Sequence, residues 1–106
     1  MHPPKASPPP ARKALVLIEL GRFDEALASV YRALSLVYGP RRLRVRMTEA
    51  TVHEKRQDPA AARRALETAL READALPEAQ RPTRLVADIQ KRLAALPAPP
   101  APQGPQ

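Results

Sequence analysis

Two stretches of this chain carry the same spacing of residues, 36 positions apart. The first reads Leu20-Gly21-Arg22-Phe23-Asp24-Glu25-Ala26 and continues through Val30, Ala33 and Leu34; the second reads Gln57-Asp58-Pro59-Ala60-Ala61-Ala62 and continues through Leu66, Ala69 and Leu70. On a helix, positions seven apart share a face. Ala26 with Ala33, and Ala62 with Ala69, therefore let a neighbouring helix come close, while the larger apolar residue between them fills the gap. Such a pattern is that of a helical hairpin used twice, each copy burying its apolar face against the next.

The punctuation supports the same reading. Between residues 11 and 96, glycine occurs only at 21 and 39 and proline only at 40, 59, 77 and 82, so the breaks fall between long Ala/Leu/Arg/Glu stretches. Five helices are predicted. The first covers residues 11–20 and stops at Gly21. The second covers 23–37, with Ala26, Leu27, Val30, Ala33, Leu34 and Val37 inward, and Gly39-Pro40 ends it. The third, 41–56, has the poorest pattern: Leu43, Met47 and Ala50 line one side, with Val45 and Val52 elsewhere. The fourth opens on Asp58 as N-cap with Pro59 in the first helical position, where its missing N–H costs nothing. The fifth, 81–96, places Leu85, Val86, Ile89, Leu93 and Leu96 together and Arg84, Asp88, Lys91 and Arg92 outward, as a helix closing a stack would. No strand pattern appears.

Over residues 11–76 this organisation resembles the tetratricopeptide repeat, whose period is about 34 residues, and the fifth helix is similar to the helix that closes such arrays. The second-helix residues Gly21, Phe23, Ala26, Ala33 and Leu34, then Ala62, Leu66, Ala69 and Leu70, carry the likeness. In the first helices Ala14 and Ala50 keep the small position, whereas Lys13, Arg46, Glu49 and His53 depart from the apolar preference. The Tyr38-Gly39-Pro40 link and the two extra residues look like the longer-linker variety of large bacterial arrays. The resemblance implies an all-α fold, a short right-handed superhelix of antiparallel hairpins with about five helices, acting as a non-catalytic protein-protein interaction scaffold. It also implies a shallow groove lined by first helices, in which a partner peptide or helix lies. Carried onto this chain, the groove positions are Leu15, Ile18 and Glu19, then Arg44, Met47, Thr51, Glu54 and Lys55. A grip on a peptide C-terminal carboxylate through groove asparagines is not expected, since the chain has no asparagine and Leu15 and Thr51 occupy those places.

Composition narrows the rest. The chain has 106 residues, and ten of its 14 prolines fall in residues 1–10 and 97–106. Those tails are expected to be disordered and solvated, leaving a helical domain at 11–96. P-x-x-P spacing at Pro97/Pro100, Pro99/Pro102 and Pro102/Pro105 arises readily in a tail of this composition. With two and a half repeats where about three stabilise a stack, self-association or dependence on a partner is expected; an alternative, suggested by a first helix that begins just after Pro10, is a purely structural remnant of a longer array with no partner of its own. No cysteine is present. The apolar run Ala14-Leu15-Val16-Leu17-Ile18 ends at Glu19, too short for a signal peptide or a membrane span. The expectation is a cytoplasmic protein with no membrane contact.

The net charge is +7, from 18 Lys and Arg against 11 Asp and Glu. A field of this sign attracts acidic peptides or nucleic acid. Arg41, Arg42, Arg44 and Arg46 could read a duplex groove, but the only aromatics are Phe23, Tyr31 and Tyr38, with Phe23 assigned to the core and the tyrosines at most partly exposed, so base stacking has little to work with. The nucleic-acid reading therefore stands second, as a basic helical module. Catalysis lacks parts: the serines are Ser7, Ser29 and Ser35, the histidines His2 and His53, and neither a nucleophile-base pair nor a phosphate loop nor a metal-ligand set is spelled out. No cofactor is expected, and the chain is read as no enzyme.

Overall fold

Local sequence sets each reversal of the chain. The computed structural model describes residues 10–97, and over them it is helical: α1 (Pro10–Glu19), α2 (Phe23–Leu36), α3 (Arg41–Lys55), α4 (Pro59–Asp74) and α5 (Thr83–Ala95), with a 3-10 turn, Glu78–Gln80, between α4 and α5. No strand occurs among the described residues. The expected tails lie outside them apart from Pro10, which opens α1, and Pro97; the proline pairs 97/100, 99/102 and 102/105 reach beyond the described residues.

α1 closes on Gly21, whose φ of 76° lets Gly21 N donate to Ile18 O at 3.0 Å and Arg22 N to Leu17 O at 2.9 Å. α3 ends the same way on Gln57, φ 62°, with Gln57 N donating to Glu54 O at 3.0 Å and Asp58 N to His53 O at 2.8 Å. These bonds satisfy carbonyls that a helix end leaves open. Asp58 then starts α4: its Oδ1 accepts from Ala61 N at 3.1 Å, and Pro59 takes the first helical position. The open carbonyls of α2 are met differently. Arg42 Nη1 reaches back from α3 and donates to Leu34 O at 2.6 Å.

Two apolar cores result, and α3 belongs to both. In the first, Ala14, Leu17 and Ile18 of α1 meet Ala26, Val30, Ala33 and Leu34 of α2, with Val45 and Val52 of α3. In the second, Leu43 and Ala50 of α3 meet Ala62, Ala65, Leu66, Ala69 and Ala73 of α4, with Leu85 and Ile89 of α5. At 3.6 residues per turn, residues two apart point to nearly opposite sides, so Leu43 and Val45 necessarily serve different cores, as do Ala50 and Val52. This is why α3 shows no single apolar stripe. Ala26, Ala62 and Ala69 are fully buried and Ala33 nearly so, which allows the close approach their spacing implies.

Each helix packs on the next, and α1 also touches α3 and α3 touches α5, whereas α2 and α4 do not approach one another among the described residues. α1, α3 and α5 thus form one row, with α2 and α4 splayed behind it. Among the described residues no helix is long and apolar enough to cross a membrane. Tyr38 is 83% exposed and Tyr31 51%, more than the expected partial exposure.

Candidate partner-binding groove

Two adjoining recesses open on the row formed by α1, α3 and α5. One, of about 500 Å³, is lined by Leu15 from α1, by Arg44, Val45, Met47, Thr48 and Thr51 from α3, and by Arg12 and Arg92 at its sides. Another, of about 600 Å³, lies between the N-terminal halves of α3 and α5, with Arg41, Arg44, Met47, Arg81, Arg84, Leu85 and Asp88 among its lining residues. Arg44 and Met47 belong to both, so the recesses adjoin. Their floor is aliphatic: Leu15 is half exposed, Met47 half-buried, and Val45 and Leu85 are buried.

The walls are fixed by hydrogen bonds. Arg92, expected to point outward, instead folds onto α3: Nη1 donates to Met47 O at 3.1 Å, and Nη2 donates to Thr51 Oγ1 at 3.1 Å and to Glu54 Oε1 at 2.6 Å. Its flexible stem lies along apolar surface while the guanidinium finds the acceptors α3 offers. Arg81 donates through Nε to Leu76 O at 3.1 Å and through Nη2 to Asp74 O at 3.0 Å, so its charge is held in place without a carboxylate partner.

Of the eight residues assigned to the groove from sequence, Leu15, Arg44, Met47 and Thr51 come together in the first recess. Ile18 does not: it is 8% exposed and packs in the first core, because α3 covers that side of α1 through Val45 and Val52. Glu54 is engaged by Arg92 and lines a separate recess with Pro59 and Ala95. Glu19 and Lys55 are exposed and line neither groove recess. Arg12, Arg81, Arg84 and Arg92 were not singled out for the groove by sequence. The signal available was that α5 packs as a further member of the α1 and α3 row, which places its arginines on the same side.

A second polar cluster joins α2, α3 and α4 and accounts for the departures noted in α3. Glu72 of α4 accepts from Arg42 Nε at 2.9 Å and from Arg46 Nε at 3.1 Å. Arg46 Nη1 also donates to Glu49 Oε1 at 3.1 Å, and Glu49 Oε2 lies 3.5 Å from Tyr31 Oη and 3.6 Å from His53 Nε2. Burial alone would raise the Glu72 pKa; the hydrogen bonds and charges of Arg46 and Arg42 outweigh it and hold the carboxyl below its ordinary value. Burial would likewise lower the Arg46 pKa, but bonds to Glu72 and Glu49 leave it raised. The Tyr31 phenol is raised, first by burial and then by the Glu49 charge. His53 Nδ1 is buried with no hydrogen-bond partner among the described residues.

Among the described residues no three His, Cys, Asp or Glu side chains gather as a metal site would require. No family model, curated protein or solved structure matches this chain.

Proposed function

We propose that this chain is a non-catalytic adaptor of tetratricopeptide-like design, a short right-handed stack of helical hairpins that holds a peptide or helix of a partner protein along the α1, α3 and α5 row. The reading is supported by the alternation of contacts, in which every second helix meets while α2 and α4 stay apart, and by the buried alanines of the repeated motif. One observation carries it: two adjoining recesses with aliphatic floors run along that row, the form that suits an extended or helical segment with projecting side chains. A nucleic-acid reading draws on charge, yet no aromatic side chain lines either recess, and the arginines line a concavity instead of a projecting helix.

Selection of short random peptides displayed against the immobilised full chain tests this. Enriched peptides are expected to lose binding to the Leu15→Glu and Met47→Glu variants and to keep it to Ala60→Glu on the exposed start of α4. Absence of enrichment, or binding untouched by both groove variants, contradicts it.

A further inference from the structure

The two recesses differ in chemistry, and the difference specifies what lies in each. Four arginines, Arg41, Arg44, Arg81 and Arg84, face a single carboxylate, Asp88, in the recess between α3 and α5. Arg41, Arg44 and Arg84 make no ion pair among the described residues, and residues 1–9 and 98–106 contain no Asp or Glu. The arginines of the polar cluster behave otherwise: Arg42 and Arg46 both engage Glu72. Charge is thus balanced in the polar cluster and left in excess around the recess between α3 and α5. The α1 and α3 recess has no carboxylate in its lining, and its floor is Leu15, Val45 and Met47.

Resting on the adaptor reading, we infer that the groove recognises a two-part acidic segment of a partner protein: consecutive carboxylates seated among Arg41, Arg44, Arg81 and Arg84, adjoined by one aliphatic side chain placed on Leu15 and Met47. Guanidinium forks pair with carboxylates in bidentate geometry, and several exposed arginines around one recess can engage consecutive carboxylates together. Arg44 and Met47, common to both recesses, set the two parts next to each other and fix the order of the peptide. Single-stranded nucleic acid would satisfy the arginines but leave the aliphatic floor unused and find no ring to stack upon.

Fluorescence anisotropy of the full chain with labelled synthetic peptides tests the inference. The probes are a run of glutamates followed by leucine, its glutamine isostere, its leucine-to-serine counterpart, and a labelled single-stranded DNA. The glutamate-leucine probe is expected to bind about tenfold or more tightly than the glutamine isostere, and Arg41→Gln with Arg84→Gln is expected to erase that preference. Both side chains are exposed, so the fold tolerates the change; unaltered thermal unfolding of the variant confirms it. The serine counterpart is expected to lose affinity while keeping the preference for glutamate. Equal binding of the acidic and glutamine peptides overturns the two-part reading and leaves the adaptor standing, provided displayed peptides still require Leu15 and Met47. Tighter binding of the DNA than of the acidic peptide, or no binding by any probe, overturns the inference itself.

Discussion

Gly21 and Gln57 hold the same backbone conformation, φ 76° and 62°, at matching places 36 residues apart. Each follows the last turn of a row helix and lets two backbone N–H groups return to that turn. Glycine adopts this conformation freely, whereas a residue with a Cβ does so at a cost of about 1–2 kcal/mol. Gln57→Gly is therefore expected to stabilise the protein by about 1 kcal/mol, and Gly21→Ala to destabilise it by a similar amount. No atom would obstruct a Cβ at Gly21, so the second effect isolates backbone strain. Urea unfolding midpoints check both.

The motif alanines are asymmetric in what they tolerate. Ala26 and Ala62 are fully buried at helix crossings, so replacing either with leucine overpacks the contact and is expected to cost about 1–3 kcal/mol. Ala28, two residues along α2 and exposed, is expected to accept leucine within about 0.5 kcal/mol. Thermal unfolding of the three variants measures the contrast.

The same 36-residue offset places His53 where the first hairpin has Leu17, and both are buried. The imidazole brings a ring nitrogen with no partner, a cost that a hydrocarbon side chain avoids. His53→Leu is expected to raise stability by about 1 kcal/mol. A lower unfolding midpoint for this variant would show that the Glu49 contact outweighs the unpaired nitrogen.

Glu72 sets an acid limit. Its pKa is lowered on folding because the bonds to Arg46 and Arg42 overcome burial, so its contribution is complete above the ordinary glutamate value of about 4.3 and is lost as pH falls through the lower folded value. Glu72→Gln is expected to lower stability at neutral pH by about 1–3 kcal/mol. The gap between variant and parent is expected to narrow as the pH falls from about 4.3 towards that lower folded value and to have closed below it, which denaturant titrations across the acid range follow directly.

What the sequence made legible was local. The Asp58-Pro59 start of α4 and the Gly21 stop of α1 depend on residues adjacent in the chain, and both stand where spacing placed them. The alanine stripes of α2 and α4 face a core for the same reason, since one apolar face per helix can be read from period alone. α3 could not be read this way because Leu43 and Val45 serve opposite cores. Glu49 and Arg46 looked misplaced until Tyr31 and Glu72, from α2 and α4, supplied their partners. The groove was half legible. Leu15 and Met47, carried over from the resemblance, line the first recess, but Ile18 is covered by α3, and its counterpart at the same offset, Glu54, meets Arg92 instead. A helical wheel fixes where Arg92 leaves the backbone; it does not fix where a long side chain ends.

The α1, α3 and α5 row is the proposed surface for a partner. Amide chemical-shift mapping of the labelled full chain during titration with the glutamate-leucine peptide tests it most directly. The account predicts concentrated shifts at Leu15, Arg44, Met47, Thr48 and Thr51 and at Arg84 on α5, with α2 and the outer side of α4 unchanged. Shifts centred on Tyr31, Arg64 and Thr68, on the opposite side of α3, would contradict it.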